Sequence, residues 1–371
     1  MFRIFYAEQD ATLYESAPTY NTGLDEILEI GKRLDTDGSN LLLARSIMKF
    51  DMTEISASLA TYNKHVTDCK FILQLYTVEA KNLPSDYTVT IKMLGQDWIN
   101  GTGYLSELIS NGVCWNTPSS GSSWISGSQY IEIGTSDLYI SGSGKGGNYL
   151  YHSGSTTAPE LQVSESFSYR TSDINVDVTD QIRIWLSGSN GNSIPNYGFL
   201  IQYSDADESN DNVKGYVRFF SRDTHTIYVP KLTMYWDNSA FTPGSLTAAN
   251  LESYVVYTNI KPEYKDNEIG KIRIYARDKY PQKSPTNLFP IQTVKYLPST
   301  TYYAVFDAQT DEAIIPYDNI YNKVSCDSTS NFIYIDMNGF MPERYYRLEF
   351  KIVDSFTEQY VSDKIYFKVV R

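Results

Sequence analysis

Hydrophobic and polar residues alternate with a period of two along much of this chain, the pattern of β-strands that bury one face. In "YTVTIKML", Tyr87, Val89, Ile91 and Met93 alternate with Thr88, Thr90 and Lys92. In "KLTMYW", Leu232, Met234 and Trp236 alternate with Lys231, Thr233 and Tyr235. Near the C-terminus "YRLEFKI" and "KIYFKVV" repeat the pattern with Lys, Arg and Glu on the outer face. Strands of this kind predict antiparallel sheets. Clusters of Gly, Ser, Asn and Asp separate them, and the longest, from about Thr117 to Thr157, contains "SGSGKGGN" and reads as a flexible loop. Helical signals are few. "DEILEIGKRL" (Asp25 to Leu34) fits an amphipathic helix with Ile27, Leu28 and Leu34 inward, and fits a strand equally well.

The segment "PGSLTAANLESYV" (Pro243 to Val255) follows the last strand of the first alternating set and marks a domain boundary. The expected domains are residues 1–240 and 246–371. In the second, the segments "YVVYTNIKP", "GKIRIYARD", "TTYYAVFDA", "NFIYIDM", "YYRLEFKIV" and "KIYFKVV" give the six or seven strands of a sandwich of immunoglobulin-like (Ig-like) size. The expected fold class is therefore all-β: an N-terminal jelly roll or β-sandwich followed by an Ig-like β-sandwich. No repeat of domain-fraction length argues for a solenoid or propeller.

Composition narrows the partners. Hydrophobic residues make up 42% of the chain and charged residues 20%, a balance that builds sizeable cores. The net charge of −13 argues against a nucleic-acid partner, because such binding depends on clustered Lys and Arg. Glu8, Asp10 and Glu15 interrupt the N-terminus where a signal peptide needs an apolar run, and no stretch is apolar for long enough to cross a membrane as a helix. The expectation is a protein made in the cytoplasm, with no membrane partner. Cys69, Cys114 and Cys326 are far apart and odd in number, which predicts buried reduced thiols, with no disulfide framework.

Four segments, in order, resemble one family. The first is "DATLYE" (Asp10 to Glu15), with the Asn-Thr-Gly turn Asn21 to Gly23, then Arg45 and the pair Phe50-Asp51. The second is Trp98 in "GQDWINGTGY", with Trp115, Asn116 and Pro118 in "GVCWNTPSSGSSW". The third is "VDVTDQIRIWLSG" (Val176 to Gly188) running on to "NYGFLIQY", and the fourth is "RFFSRDTHTIYVPKLTMYW" (Arg218 to Trp236). Together they resemble the DNRLRE-type β-sandwich module, whose members look like carbohydrate-binding modules. The resemblance covers roughly residues 5 to 237, and the insert "TYNKHVTDCK" and the acidic stretch "DADESND" depart from it. The phrase "GFMPERYYRLEFKIV" (Gly339 to Val353) resembles, more loosely, domains of bacteriophage virion and tail proteins.

Each candidate for chemistry has a structural reading beside it. Phe50, Trp98, Trp115, Trp185 and Trp236 read as core aromatics. A sugar platform needs a solvent-facing ring among polar groups, and Trp124, Tyr130 and Tyr149, set in Gly/Ser sequence, are the candidates. Asp205, Asp207, Glu208 and Asp211 offer oxygen donors for calcium, although without EF-hand spacing, and a solvated acidic loop is the simpler reading. Cys114 as a nucleophile needs a base, and His65, His152 and His225 stand in no nucleophile motif. No cofactor motif is present, and Lys145 lies outside any phosphate-binding pattern.

These readings, with the resemblances, imply a non-enzymatic structural protein of a tailed-phage virion, in the tail, neck, baseplate or capsid surface. Its expected partners are other virion proteins and copies of itself. The alternative is a glycan-binding surface or host-attachment module.

Overall fold

The structure, a computed structural model, describes residues 1–107, 112–131, 138–152, 161–168, 173–187, 194–354, 357–362 and 365–371. The chain is mostly β, with several antiparallel sheets and few helices. It divides into two compact units, Phe5–Met234 and a second composed of Met1–Ile4 with Tyr235–Arg371.

The larger unit contains an eight-stranded sheet in the order Gln162–Ser168, Asp86–Met93, Phe199–Tyr203, Leu41–Lys49, Ile27–Leu34, Gly215–Phe220 and Thr77–Lys81, with Gln9–Tyr14 also paired to Leu41–Lys49. The ambiguous segment "DEILEIGKRL" is thus a strand, paired to Leu41–Lys49 and to Gly215–Phe220. In the same unit Ile174–Asp177 pairs antiparallel with Cys69–Leu75.

These strands differ from the expectation of one buried face. In Asp86–Met93 the polar positions Thr90 and Lys92 are as buried as Ile91 and Met93, and all six residues of Lys231–Trp236 are buried. For Asp86–Met93 the reason is that both sides of the eight-stranded sheet are covered. On one, Trp185 of the helix Thr179–Ser187 packs on Phe199, ring centroids 4.9 Å apart. On the other lie Leu200 and Lys92, cross-strand partners. There Trp98, Trp115 and Trp124 form one apolar cluster with Ala11, Leu13, Ile47, Leu94, Val113 and Leu200.

One side chain fastens that tryptophan-bearing segment. Asn21 is buried, and its Nδ2 donates to the carbonyls of Asn100 and Val113, both at 2.8 Å, while its Oδ1 accepts from the N–H of Gly103 at 2.6 Å. The backbone closes around it so tightly that a Cβ on Gly101, where φ is +76°, would lie 2.5 Å from Asn21 Oδ1. The Asn-Thr-Gly turn singled out in the sequence is therefore a clasp: Thr22 Oγ1 also accepts from the N–H of Thr12 and donates to its carbonyl, at 2.8 and 2.7 Å.

The smaller unit holds two sheets of six strands each, among the described residues. One runs Thr247–Ala248, Lys295–Tyr296, Ile269–Asp278, Asn331–Asp336 and Ser325–Cys326, with Tyr254–Thr258 added on Ile269–Asp278. The other runs Glu263–Lys265, Tyr366–Val370, Arg344–Val353, Thr301–Asp307 and Ala313–Ile315, with Glu358–Val361 added on Arg344–Val353. Here the period of two holds: Gly270, Ile272, Ile274 and Ala276, and Tyr346, Leu348, Phe350 and Ile352, are the buried positions of their strands. Burying them stabilises each strand by roughly 25 cal/mol per Å2 of apolar surface.

Two predictions follow the burial. Asn21→Asp turns a carboxylate on two carbonyl oxygens, and it should cost about 3 kcal/mol or more in urea unfolding at neutral pH, with partial recovery in acid; a cost below about 1 kcal/mol would remove the clasp from the account. Asp10 is buried and accepts from the N–H of Arg222 at 2.7 Å; burial pushes its carboxyl up to about 7 against the lowering effect of that bond. Because this is above the value of an unfolded Asp, the group's contribution to stability is full below about pH 4 and is lost as pH rises through about 7. Asp10→Asn keeps an acceptor for Arg222, so melting temperatures measured at pH 5 and pH 8 should differ less in the variant than in the parent.

Candidate functional site

The Gly/Ser-rich stretch read as a flexible loop contains a three-stranded meander instead, Ser126–Ile131, Leu138–Ser143 and Asn148–His152, all antiparallel. Its second turn is the "SGSGKGGN" sequence, where Gly144 and Gly146 have φ of +79° and +65°, a region open to glycine. Composition hid this hairpin. The glycines meet the steric demand of the turn, and alternate residues of the strands supply the pairing surface.

Register fixes what each face carries. Leu138, Ile140, Asn148 and Leu150 share the inner face and are buried. Asn148 Oδ1 accepts from the N–H of Gly95 at 3.2 Å and its Nδ2 donates to Gln96 Oε1 at 2.9 Å, which fastens the meander to the sandwich. An isolated bridge between Leu94 and Tyr149 adds a backbone link. The opposite face bears Ser126, Ser128 and Tyr130, then Tyr139, Ser141 and Ser143, then Tyr149 and Tyr151. Among the described residues it consists of four tyrosines and four serines.

Three of the rings form a row across the strands. Tyr130 and Tyr139 are 5.3 Å apart between centroids, Tyr139 and Tyr151 are 5.6 Å apart, and the Ser128 hydroxyl bonds the Tyr151 hydroxyl. Tyr130 is 49% exposed, and Tyr139 and Tyr151 are half-buried. The first pair meets edge to face and the second is tilted, at interplanar angles of 62° and 37°; rings in such a row, with hydroxyls between them, can pack on the C–H face of a sugar and exchange hydrogen bonds with its hydroxyls.

The residues proposed from sequence are distributed unevenly over this arrangement. Tyr130 lies at the open end of the row. Tyr149 shares the face, but its ring lies under Lys92, with Nζ 3.7 Å from the centroid, and packs against the tryptophan cluster. Trp124 does not present a ring to solvent: it is 2% exposed, and its indole N–H donates to the Cys114 carbonyl at 3.1 Å. An amphipathic ring placed among small residues was filling the space those residues leave. Phe50, Trp98, Trp115, Trp185 and Trp236 are all buried. Tyr139 and Tyr151 were missed, although "LYISGS" and "YLYH" place tyrosines at alternate positions once the segment is read as strand.

The acidic stretch is a short helix with no buried residue, where a solvated loop was expected, and its carboxylates are engaged in different contacts. Asp205–Ser209 is a short helix capped by Ser204, whose Oγ accepts from the N–H of Asp207 at 3.1 Å. Asp205 bonds Lys92 Nζ at 2.7 and 2.8 Å, and Glu208 bonds Arg45 Nε and Nη2 at 2.9 and 2.6 Å. Asp207 accepts from the N–H of Thr88 at 2.9 Å, and Asp211 is exposed. Among the described residues, no group of three or more His, Cys, Asp or Glu side chains is placed to hold a metal ion. Cys114 is buried, with Sγ 3.2 Å from Thr117 Oγ1, and Cys69 and Cys326 are likewise free and buried.

No protein-family model and no curated protein matches the chain. Among solved structures the chain is similar to the crystal structure of Parabacteroides merdae β-glucuronidase with glycerol in its active site, at 8% identity and a TM-score of 0.17, over 81% of this chain and 28% of that one. The chain thus spans less than a third of that protein, and an overlap this slight carries no argument about fold or activity.

The ion pairs make a prediction that separates structure from metal binding. Glu208→Ala leaves the Arg45 guanidinium enclosed without its carboxylate and should cost about 3–5 kcal/mol in chemical denaturation. Calcium or a chelator should leave the melting temperature of the parent unchanged; a rise with calcium would restore the metal reading.

Proposed function

We propose that this chain is a non-enzymatic structural component of a tailed-bacteriophage virion, assembling through β-sandwich domains of jelly-roll and Ig-like type. Beside the sequence resemblances, one observation supports an assembly role. In the smaller unit Tyr280, Leu288, Phe289 and Ile291 are 77%, 63%, 69% and 61% exposed within a single loop. That loop is braced from inside: Ser284 and Asn287 exchange backbone bonds at 3.0 and 3.1 Å, and Asn287 Nδ2 donates to Thr293 Oγ1 at 2.9 Å. Holding large apolar side chains in water on a built support is expensive unless a partner covers them. The groups best suited to chemistry, Cys114 and the acidic helix, are engaged in structural contacts.

A second reading, a glycan-contact surface, is favoured by the tyrosine and serine face. The two are compatible, since an appendage that touches a host polysaccharide is also a structural part. The described part of the face offers rings and hydroxyls, so an uncharged polysaccharide is its matching ligand.

Immunogold labelling of source particles and uninfected cells should place gold at one position on the particle; gold only on cell surfaces would sink the virion reading. On an array of neutral glycans, Tyr130→Ala and Tyr139→Ala should each weaken binding roughly tenfold, about 1.4 kcal/mol, at unchanged melting temperature. Parent protein that binds no neutral glycan would remove the second reading and leave the first.

A further inference from the structure

Among the described residues, the sandwich of the smaller unit is open along one side. The strand Tyr254–Thr258 pairs with Ile269–Asp278, and Glu358–Val361 pairs with Arg344–Val353; each has one strand neighbour among the described residues. Both line one trough of about 780 Å3, with Leu251, Lys279 and Ile365. All five residues of Tyr254–Thr258 border it. Side chains alternate across a strand, so a space touched by five consecutive residues runs along the strand's backbone edge.

The hydrogen-bond phase of that edge follows from its ends. The Lys279 N–H donates to the Ser253 carbonyl and the Asn259 N–H to the Arg273 carbonyl, at 3.0 and 3.2 Å. In the observed register, with Tyr254 opposite Asp278 and Thr258 opposite Ile274, residues 253, 255, 257 and 259 therefore face their partner strand. Tyr254, Val256 and Thr258 direct their N–H and C=O groups the other way, into the trough.

The core is unfinished at the same place. Val256 lies opposite Ala276, on the inner face that also carries Ile272 and Ile274. Those three are fully buried, whereas Val256 is only half-buried. On the facing sheet Val361 lies opposite the fully buried Phe350 and is again half-buried. Two inward valines and three backbone positions without a strand partner among the described residues thus border one trough, and an apolar small molecule satisfies only the first of these demands.

We propose that this trough receives an extended β-strand from a neighbouring polypeptide of the assembly, with apolar residues at every second position. The strand bonds the open edge of Tyr254–Thr258 and lowers its alternate side chains between Val256 and Val361, completing the core by strand addition. This rests on the assembly reading, because a second chain supplies the strand.

Amide hydrogen exchange on the free chain and on the native assembly isolated with antibody tests it. The amides of Tyr254, Val256 and Thr258 should be slowed about 100-fold in the assembly, while those of Val255 and Tyr257, already bonded within the sheet, change little. A chain present in particles whose three amides exchange as in the free protein overturns the strand inference and leaves the assembly reading standing. A chain recovered only in free form, from particles and extracts alike, overturns both. As a check on side-chain cover, Val256→Lys should melt like the parent and fail to enter the assembly, whereas the outward Tyr257→Lys should enter it; normal entry of Val256→Lys would also overturn the proposal.

Discussion

The fold of the larger unit depends on covering a sheet face that carries cations. Lys92 and Arg45 lie on strands whose polar side is enclosed, and a buried cation without an anion costs several kcal/mol. The helix Asp205–Ser209 supplies the anions, and the tryptophan-bearing segment supplies the apolar cover beside them. Much else follows from this constraint. Arg45 also donates to the Gly146 carbonyl at 2.8 Å, which holds the meander turn against the sheet, and Lys92 positions the ring of Tyr149. The ion pairs and the tyrosine face are thus parts of one mechanical chain.

What the sequence made legible was the alternation wherever one face meets solvent. In Arg344–Val353 the apolar positions are the buried ones, and Arg347, Glu349 and Lys351 between them are only half-buried. The same pattern in Asp86–Met93 pointed to a polar outer face that the fold encloses, since alternation records polarity and is silent on what lies above it. A lysine inside looks like a lysine outside until its carboxylate, 113 residues away, is brought to it.

The candidate site was legible only in part for a related reason. Tyr130 and Tyr149 stood out as aromatics in a polar stretch, but the face they belong to exists only through pairing across three strands. Gly and Ser suggested a flexible loop because glycine's freedom is visible in composition and its use in a turn is not. Trp124 looked exposed for the same reason: small neighbours in sequence leave room that a large ring fills in space.

The rings and hydroxyls of the tyrosine and serine face set how its contacts respond to surroundings. Coulombic contacts between exposed groups weaken as dissolved ions shorten the screening length, to about 3 Å in molar salt. Dispersion between rings and hydrogen bonds between hydroxyls have no such dependence. Contacts made by these rings and hydroxyls would therefore hold alike in dilute fluid and in brine, even though the chain as a whole is strongly acidic.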